Sequence, residues 1–153
     1  MTGNERAIVQ GGSGNNIIDA RGYTGFAVID GQGGSDVLYA AANSRTILIG
    51  GLGIDKLVGG AADDILIGGR TTLDIFSANF AQLVTKWAGG DPYSSRVAQI
   101  RAGTGLPAGI KLTTTTVPDD GIKDTITGGG GLDWFWGYPT DLLTDKAANE
   151  FLR

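Results

Sequence analysis

The sequence predicts a mainly β chain of short stacked strands, interrupted by a pair of helices. Three observations carry that prediction. Glycine supplies 27 of 153 residues, mostly as pairs followed by a fixed polar and then apolar sequel. The acids are fourteen Asp against two Glu, and Asp favours turns and caps over helix interiors because its carboxylate competes with the backbone. After Gly69 the glycines stop for nearly twenty residues, and an apolar stripe at helical spacing takes over.

The repeating unit opens with Gly11-Gly12-Ser13-Gly14-Asn15-Asn16-Ile17-Ile18-Asp19. It returns as Gly31-Gln32-Gly33-Gly34-Ser35-Asp36-Val37-Leu38-Tyr39 and, most cleanly, as Gly50-Gly51-Leu52-Gly53-Ile54-Asp55-Lys56-Leu57-Val58. Gly59-Gly60-Ala61-Ala62-Asp63-Asp64-Ile65-Leu66-Ile67 follows nine residues later, and Gly68-Gly69 opens another. Each unit is a glycine turn, a polar sixth residue and a three-residue strand with an apolar centre. Three strand residues gain stability only by stacking on neighbours into a ladder. With two units per coil, alternate turns fall on the same side, about 4.8 Å apart.

These units resemble the hemolysin-type (RTX) calcium-binding repeat family, whose nonapeptide is G-G-x-G-x-D-x-U-x. The resemblance implies a right-handed parallel β-roll with Ca²⁺ held in its turns. The metal ligands it implies are Asn16, Asp36, Asp55, Asp64, Asp124 and Asp133. Backbone carbonyls of Gly31, Gly33, Gly50, Gly51, Gly53, Gly59, Gly128, Gly129 and Gly131 would complete the cages. An all-oxygen set with carboxylates suits a hard cation. The alternative for each Asp is that it merely ends a tight turn; type, position and period together favour calcium. Asn16, being neutral, is the weaker ligand, and Asp63, Asp119 and Asp120 read as solvated neighbours.

The register is imperfect. Asn16 to Asp36 is 20 residues and Asp36 to Asp55 is 19, where 18 would be ideal. Residues 20–30 form a coil without the motif, and Arg45 stands where Asp belongs, so that turn should hold no metal.

In the insertion, Leu73, Phe76, Phe80, Leu83, Val84 and Trp87 form an amphipathic stripe. Thr71 or Thr72 is expected to cap this helix, Asp74 to lie in its first turn and Gly89-Gly90 to end it. Asp91-Pro92 restarts a helix with Tyr93, Val97 and Ile100 buried, and Gly103 stops it. Residues 103–109 read as loop and Ile110 to Val117 as a Thr-rich strand.

The repeat then returns as Asp119-Asp120-Gly121-Ile122-Lys123-Asp124-Thr125-Ile126-Thr127 and Gly128-Gly129-Gly130-Gly131-Leu132-Asp133-Trp134-Phe135-Trp136. If the insertion simply loops out, Asp36 and Asp55 share one side and Asp64 lies on the other. Turn 119–124 is then expected beside turn 59–64, bringing Asp124 next to Asp64 and leaving Asp133 without a carboxylate partner. Trp134 and Trp136 share the strand face opposite Phe135. They are expected under the inserted helices, against Phe76, Phe80 and Trp87, with a carbohydrate or protein surface as the alternative. Residues 141–153 read as a last strand or short helix closing the core. The expected organisation is one domain over 1–153, with repeats in 1–69, a helical insertion in 70–109 and returning repeats with a cap in 110–153.

Composition excludes several classes. With no Cys and no His there is no disulfide, thiolate zinc site, cysteine nucleophile or histidine-based catalysis. A net charge of −4 and a pI near 4.6 argue against nucleic acid. No apolar run reaches a membrane span, and residues 1–6 lack a signal peptide's apolar core. Each glycine pair leads into a strand, so no phosphate loop opens a helix and no nucleophile elbow forms. Adjacent carboxylates such as Asp119-Asp120 make no cleft, and catalysis is not expected. Ice binding through Thr113 to Thr116 has poor support, because that run is not repeated from coil to coil.

Residues 68–150 also look like the C-terminal ends of large bacterial surface or secreted proteins. The resulting expectation is a calcium-binding structural or adhesive module of a secreted or cell-surface protein, attached to a larger polypeptide or self-associating through open roll ends. The alternative is the calcium-dependent C-terminal export or stability domain of a secreted hydrolase such as a protease or lipase.

Overall fold

The computed structural model describes residues 5–153; the leading residues, read above as lacking a signal-peptide core, lie outside it up to Asn4. Two parallel sheets are built from strands taken alternately along the chain. The first holds β1 (Arg6–Gln10), β3 (Phe26–Asp30), β5 (Thr46–Ile49), β7 (Ile65–Ile67), β9 (Trp134–Trp136) and β11 (Phe151–Leu152), in that order. The second runs β2 (Ile17–Asp19), β4 (Val37–Tyr39), β6 (Lys56–Val58), β8 (Thr125–Thr127) and β10 (Leu142–Leu143). This is the alternation that two nonapeptides per coil require, and it is consistent with a β-roll.

The two sheets share a core through the central residue of each strand. Ile29, Leu38, Leu48, Leu57, Leu66, Ile126 and Phe135 meet there, all fully buried. The outer faces differ, and the sequence shows why. Strands of the second sheet alternate, as in Lys56-Leu57-Val58 and Thr125-Ile126-Thr127, and leave their flanking residues at least partly exposed. Strands β5, β7 and β9 are buried along their whole length, the mark of a sheet covered on both faces.

The cover is the insertion. Helices α1 (Ala78–Ala88) and α2 (Tyr93–Ala102) pack Phe80, Leu83, Val84, Trp87, Tyr93, Val97 and Ile100 onto Val28, Ile47, Ile65, Ile67, Trp134 and Trp136. Trp134 lies 6.1 Å from Trp87 and 5.5 Å from Trp136, so the two tryptophans do sit beneath the helices. Phe76 does not join them and is 58% exposed.

The start of α1 also differs from expectation. Ser77, not Thr71 or Thr72, is the cap: its hydroxyl accepts the Phe80 N–H at 3.1 Å. Asp74 folds the residues before it into a turn by accepting the Phe76 N–H, and this local bond keeps Leu73 and Phe76 out of the helix. Helix α2 follows Pro92 and ends at Gly103, whose left-handed conformation (φ 74°) gives the expected stop.

The Thr-rich segment is a turn and not a strand. The Val117 N–H bonds the Thr113 carbonyl at 2.8 Å, and the Thr116 hydroxyl donates to the Lys111 carbonyl at 2.6 Å. Threonine hydroxyls satisfy the backbone locally here and overrule β propensity.

The expected threading of the return fails. Lys56 pairs with Thr125 and Ile65 with Trp134, so Asp124 stacks on Asp55 and Asp133 on Asp64. Gly68-Gly69 had already opened a turn on the Asp55 side, and after the insertion the chain completes that same turn. A methyl built on Gly68 would sit 2.7 Å from Asp124 Oδ2, which marks Gly68 as the first residue of the turn that Asp124 closes.

Candidate calcium sites in the turns

Two columns of turn residues follow from the strand pairing. One runs Asn16, Asp36, Asp55, Asp124, Asp141 before the strands of the second sheet; the other runs Thr46, Asp64, Asp133, Glu150 before those of the first. Each carboxylate uses one oxygen to tie coils together. Asp36 Oδ1 accepts the Asn16 N–H at 2.7 Å, Asp55 Oδ1 that of Asp36 at 2.8 Å and Asp124 Oδ1 that of Asp55 at 2.8 Å. In the second column Asp64 Oδ1 takes the Thr46 N–H and Asp133 Oδ1 the Asp64 N–H, at 2.7 and 2.8 Å.

The second oxygen is the informative one. Asp36, Asp55, Asp124 and Asp133 each bury Oδ2 with no hydrogen-bond partner. An unpaired buried carboxylate oxygen is costly, and native structures rarely leave one without a ligand. Carbonyl oxygens point the same way: a methyl on Gly31 would collide with both Asp36 Oδ2 and the Gly50 carbonyl. One on Gly50 would collide with Asp55 Oδ2 and the Gly68 carbonyl. Gly31 and Gly50 thus leave room where a carboxylate and the carbonyl of the next coil face one another with no donor between, whereas over Gly128 the neighbours are Asp133 Oδ2 and the Phe135 ring. Asn16 Oδ1 also meets the Gly31 carbonyl over Gly11, but it already accepts the Gly12 N–H at 2.8 Å.

Glycine is required for this shape at two places in the cleanest turn, where Gly51 and Gly53 take φ of 111° and 119°. Turn 59–64 is built differently. Neither Gly60 nor Ala62 is left-handed, and Asp64 Oδ2 accepts the Gly60 N–H at 2.8 Å. Asp64 therefore has both oxygens bonded within the protein, although the Gly128 carbonyl also faces it over Gly59.

Arg45 is not at the carboxylate position. Thr46 is: it precedes the Ile47–Ile65 pair, its N–H donates to Asp64 Oδ1, and its hydroxyl accepts the Ala41 N–H. The extra residue before Gly50 pushes Arg45 outward, where its guanidinium donates to the Trp87 and Gly89 carbonyls at the end of α1. Asp63 is likewise more than a solvated neighbour. It accepts from the buried Arg96 and from the Leu132 N–H, and its carbonyl takes the Trp87 indole N–H at 3.1 Å. Tyr93 donates to the Asp133 carbonyl. The insertion is thus pinned to the turns of the second column. Asp120 accepts the Gly53 N–H at 2.9 Å, while Asp119 takes only the Gly121 N–H.

The sequence reading missed Asp141, Asp145 and Glu150. Asp141 and Glu150 each lie 17 residues beyond the acid they stack on and just before an apolar pair, without the glycine pair that flagged the others. Glu150 bonds the Asp133 and Ala147 N–H groups, and Asp145 bonds those of Gly128 and Gly129. They satisfy backbone N–H groups of the turns that precede β8 and β9.

Burial pushes the turn carboxyls up from the ordinary 3.8, Asp55 to about 6, Asp64 to about 7 and Asp124 and Asp133 to about 8; Asp36 is raised for the same reason. Such groups bind more protons folded than unfolded, so metal-free stability is present at low pH and lost as pH rises from about 4 through about 8. A proton or a cation can relieve the same buried charge. The metal-free chain is accordingly expected to melt at a higher temperature at pH 5 than at pH 8, with the order reversed in millimolar calcium, because a metal needs the deprotonated carboxylate. A metal-free melting temperature that climbs over this interval would contradict the expectation.

Among the described residues no three acidic side chains gather around one point. Oxygen-only donors suit a hard cation such as calcium better than a soft metal. The geometry is that of two parallel sheets joined by glycine turns, consistent with a β-roll. The RTX calcium-binding nonapeptide repeat matches in 4 copies, over residues 2–22, 44–70 and 122–139. These stretches are similar to that repeat, and they contain Asn16, Asp55, Asp64, Asp124 and Asp133 but not Asp36. No curated protein and no solved structure matches the chain.

Proposed function

We propose that residues 1–153 act as one calcium-stabilised structural or adhesive module of a secreted or cell-surface bacterial protein. The observation that carries this reading is the set of four buried, unpartnered Oδ2 atoms on Asp36, Asp55, Asp124 and Asp133. These carboxylates, with carbonyls such as those of Gly50 and Gly68, would hold Ca²⁺; the ion supplies charge that the turns otherwise lack. Asn16 would be a weak neutral ligand, and Asp64 would bind only after giving up its bond to Gly60. No helix among the described residues is long and apolar enough to cross a membrane.

Extracellular calcium modules bind at about 10⁻⁴ to 10⁻³ M. A module so tuned stays loose in a calcium-poor cytosol and orders after export. Trp87, Trp134 and Trp136 are all fully buried, so their emission reports the transition. A calcium titration is expected to shift that emission to the blue with a midpoint of roughly 0.1–1 mM. A midpoint in the nanomolar range, or no shift, would rule out the export switch. Self-association forms a second part of the proposal: β1 and β2 are sheet-edge strands among the described residues, and they expose Ile8, Val9 and Ile17. A second copy stacking there should give calcium-dependent sedimentation growth; a monomer at high concentration in calcium would exclude it.

A further inference from the structure

The column Asn16, Asp36, Asp55, Asp124 obeys one rule until its end. Over Gly11, Gly31 and Gly50, the side-chain oxygen of the sixth residue faces the carbonyl of the glycine that opens the next coil. Over Gly68 that partner is different. A methyl there would lie 2.7 Å from Asp124 Oδ2 and 3.2 Å from Asp141 Oδ2, so a second carboxylate stands where a neutral carbonyl stood before. Asp124 is 1% exposed and its Oδ2 has no partner. Among the described residues no Lys or Arg forms an ion pair with either acid.

We propose that Asp141, which lies outside every nonapeptide, joins Asp124 in a two-carboxylate Ca²⁺ site at the C-terminal end of this column. The inference rests on the calcium reading above. Backbone donors already fix the Asp141 carboxylate in position, since its Oδ1 accepts the Asp124 N–H at 3.0 Å and its Oδ2 the Tyr138 N–H at 2.7 Å. A carboxylate oxygen has a further lone pair to offer. More ligand charge means tighter binding, so this site fills before those with one carboxylate. Its ion would tie three distant parts of the chain: Gly68, where the insertion departs; Asp124, where the repeat resumes; and Tyr138–Asp141, whose Tyr138 hydroxyl reaches the Val117 carbonyl. Calcium would thereby fasten both ends of the insertion and the C-terminal cap.

The test is a count of bound calcium by native mass spectrometry, with an affinity series by titration calorimetry. Asp141→Asn keeps an acceptor for the Asp124 N–H, gives up the bond from Tyr138 and removes the charge; it is expected to bind one ion fewer and to lose the tightest phase. Gly68→Ala leaves both carboxylates and fills the space between them, and the same loss is expected. Asp145→Asn, which removes a charge from the neighbouring cap, should leave count and tightest phase unchanged. If Asp141→Asn does not fold in excess calcium, Gly68→Ala decides alone. Wild-type counts and affinities in the decisive variant would overturn the inference while leaving the calcium reading intact. A wild-type chain that binds no calcium would overturn both.

Discussion

Removal of calcium with EGTA is expected to unfold or loosen the roll, with loss of the β signal in circular dichroism and a large fall in melting temperature. A site with a dissociation constant near 10⁻⁴ M stabilises the folded state by about 2.7 kcal/mol in roughly 10 mM calcium. Four such sites would together contribute about 11 kcal/mol, as much as the whole stability of an ordinary domain, about 5–15 kcal/mol. The structure shows why little else compensates. Strands β4, β6 and β8 of the second sheet each have only their ladder and one fully buried central side chain, and the turns bury four carboxylate oxygens without partners. Spectra and melting temperatures that are the same in EGTA and in millimolar calcium would show that these turns stand without an ion.

The second large effect concerns the other half of the stability, the cover over the first sheet. Trp134 is fully buried between Trp87, Trp136 and the Arg101 guanidinium, which lies 5.4 Å from its ring. Trp134→Ala is expected to cost about 3–5 kcal/mol through lost burial and the cavity left behind. For a chain of this size that lowers the melting temperature by roughly 10 °C or more, measured in saturating calcium. Phe76→Ala, at a side chain that the insertion leaves in solvent, should change it by no more than a degree or two. Equal melting temperatures for the two variants would mean that the helices do not hold the tryptophan face down.

The coils were legible because each one announces itself: a glycine pair, an acid at the sixth position and one central apolar residue give both the strand and its inward face. The covered face of the first sheet was legible at Trp134 and Trp136, whose place beneath the inserted helices follows from the unpartnered helix stripe. The threading of the return was not. Nine-residue units alternate sides, and the error lay in treating Gly68-Gly69 as the start of a lost turn when it is the first half of the turn that Asp124 closes. Position was misjudged at Arg45 for a similar reason. A one-residue offset moves every side chain along, and only the bond from the Thr46 N–H to Asp64 Oδ1 fixes it. Local hydrogen bonds decided the remaining differences, with Ser77 capping α1 and the threonine hydroxyls curling residues 113–117. Asp141 and Glu150 escaped notice because the cap keeps the acid and the apolar pair but drops the glycines, so only the period betrays them.

If the buried Oδ2 atoms of Asp36, Asp55, Asp124 and Asp133 hold calcium, titration calorimetry at neutral pH will show it. The chain with its native acids is expected to bind several calcium ions at submillimolar to millimolar concentration, with protons released as the raised carboxyls ionise. The variant in which these four residues become Asn keeps the Oδ1 acceptors that tie the coils together, and it should lose nearly all of that binding. Undiminished calcium binding by the fourfold variant, or none by the unaltered chain, would contradict the account.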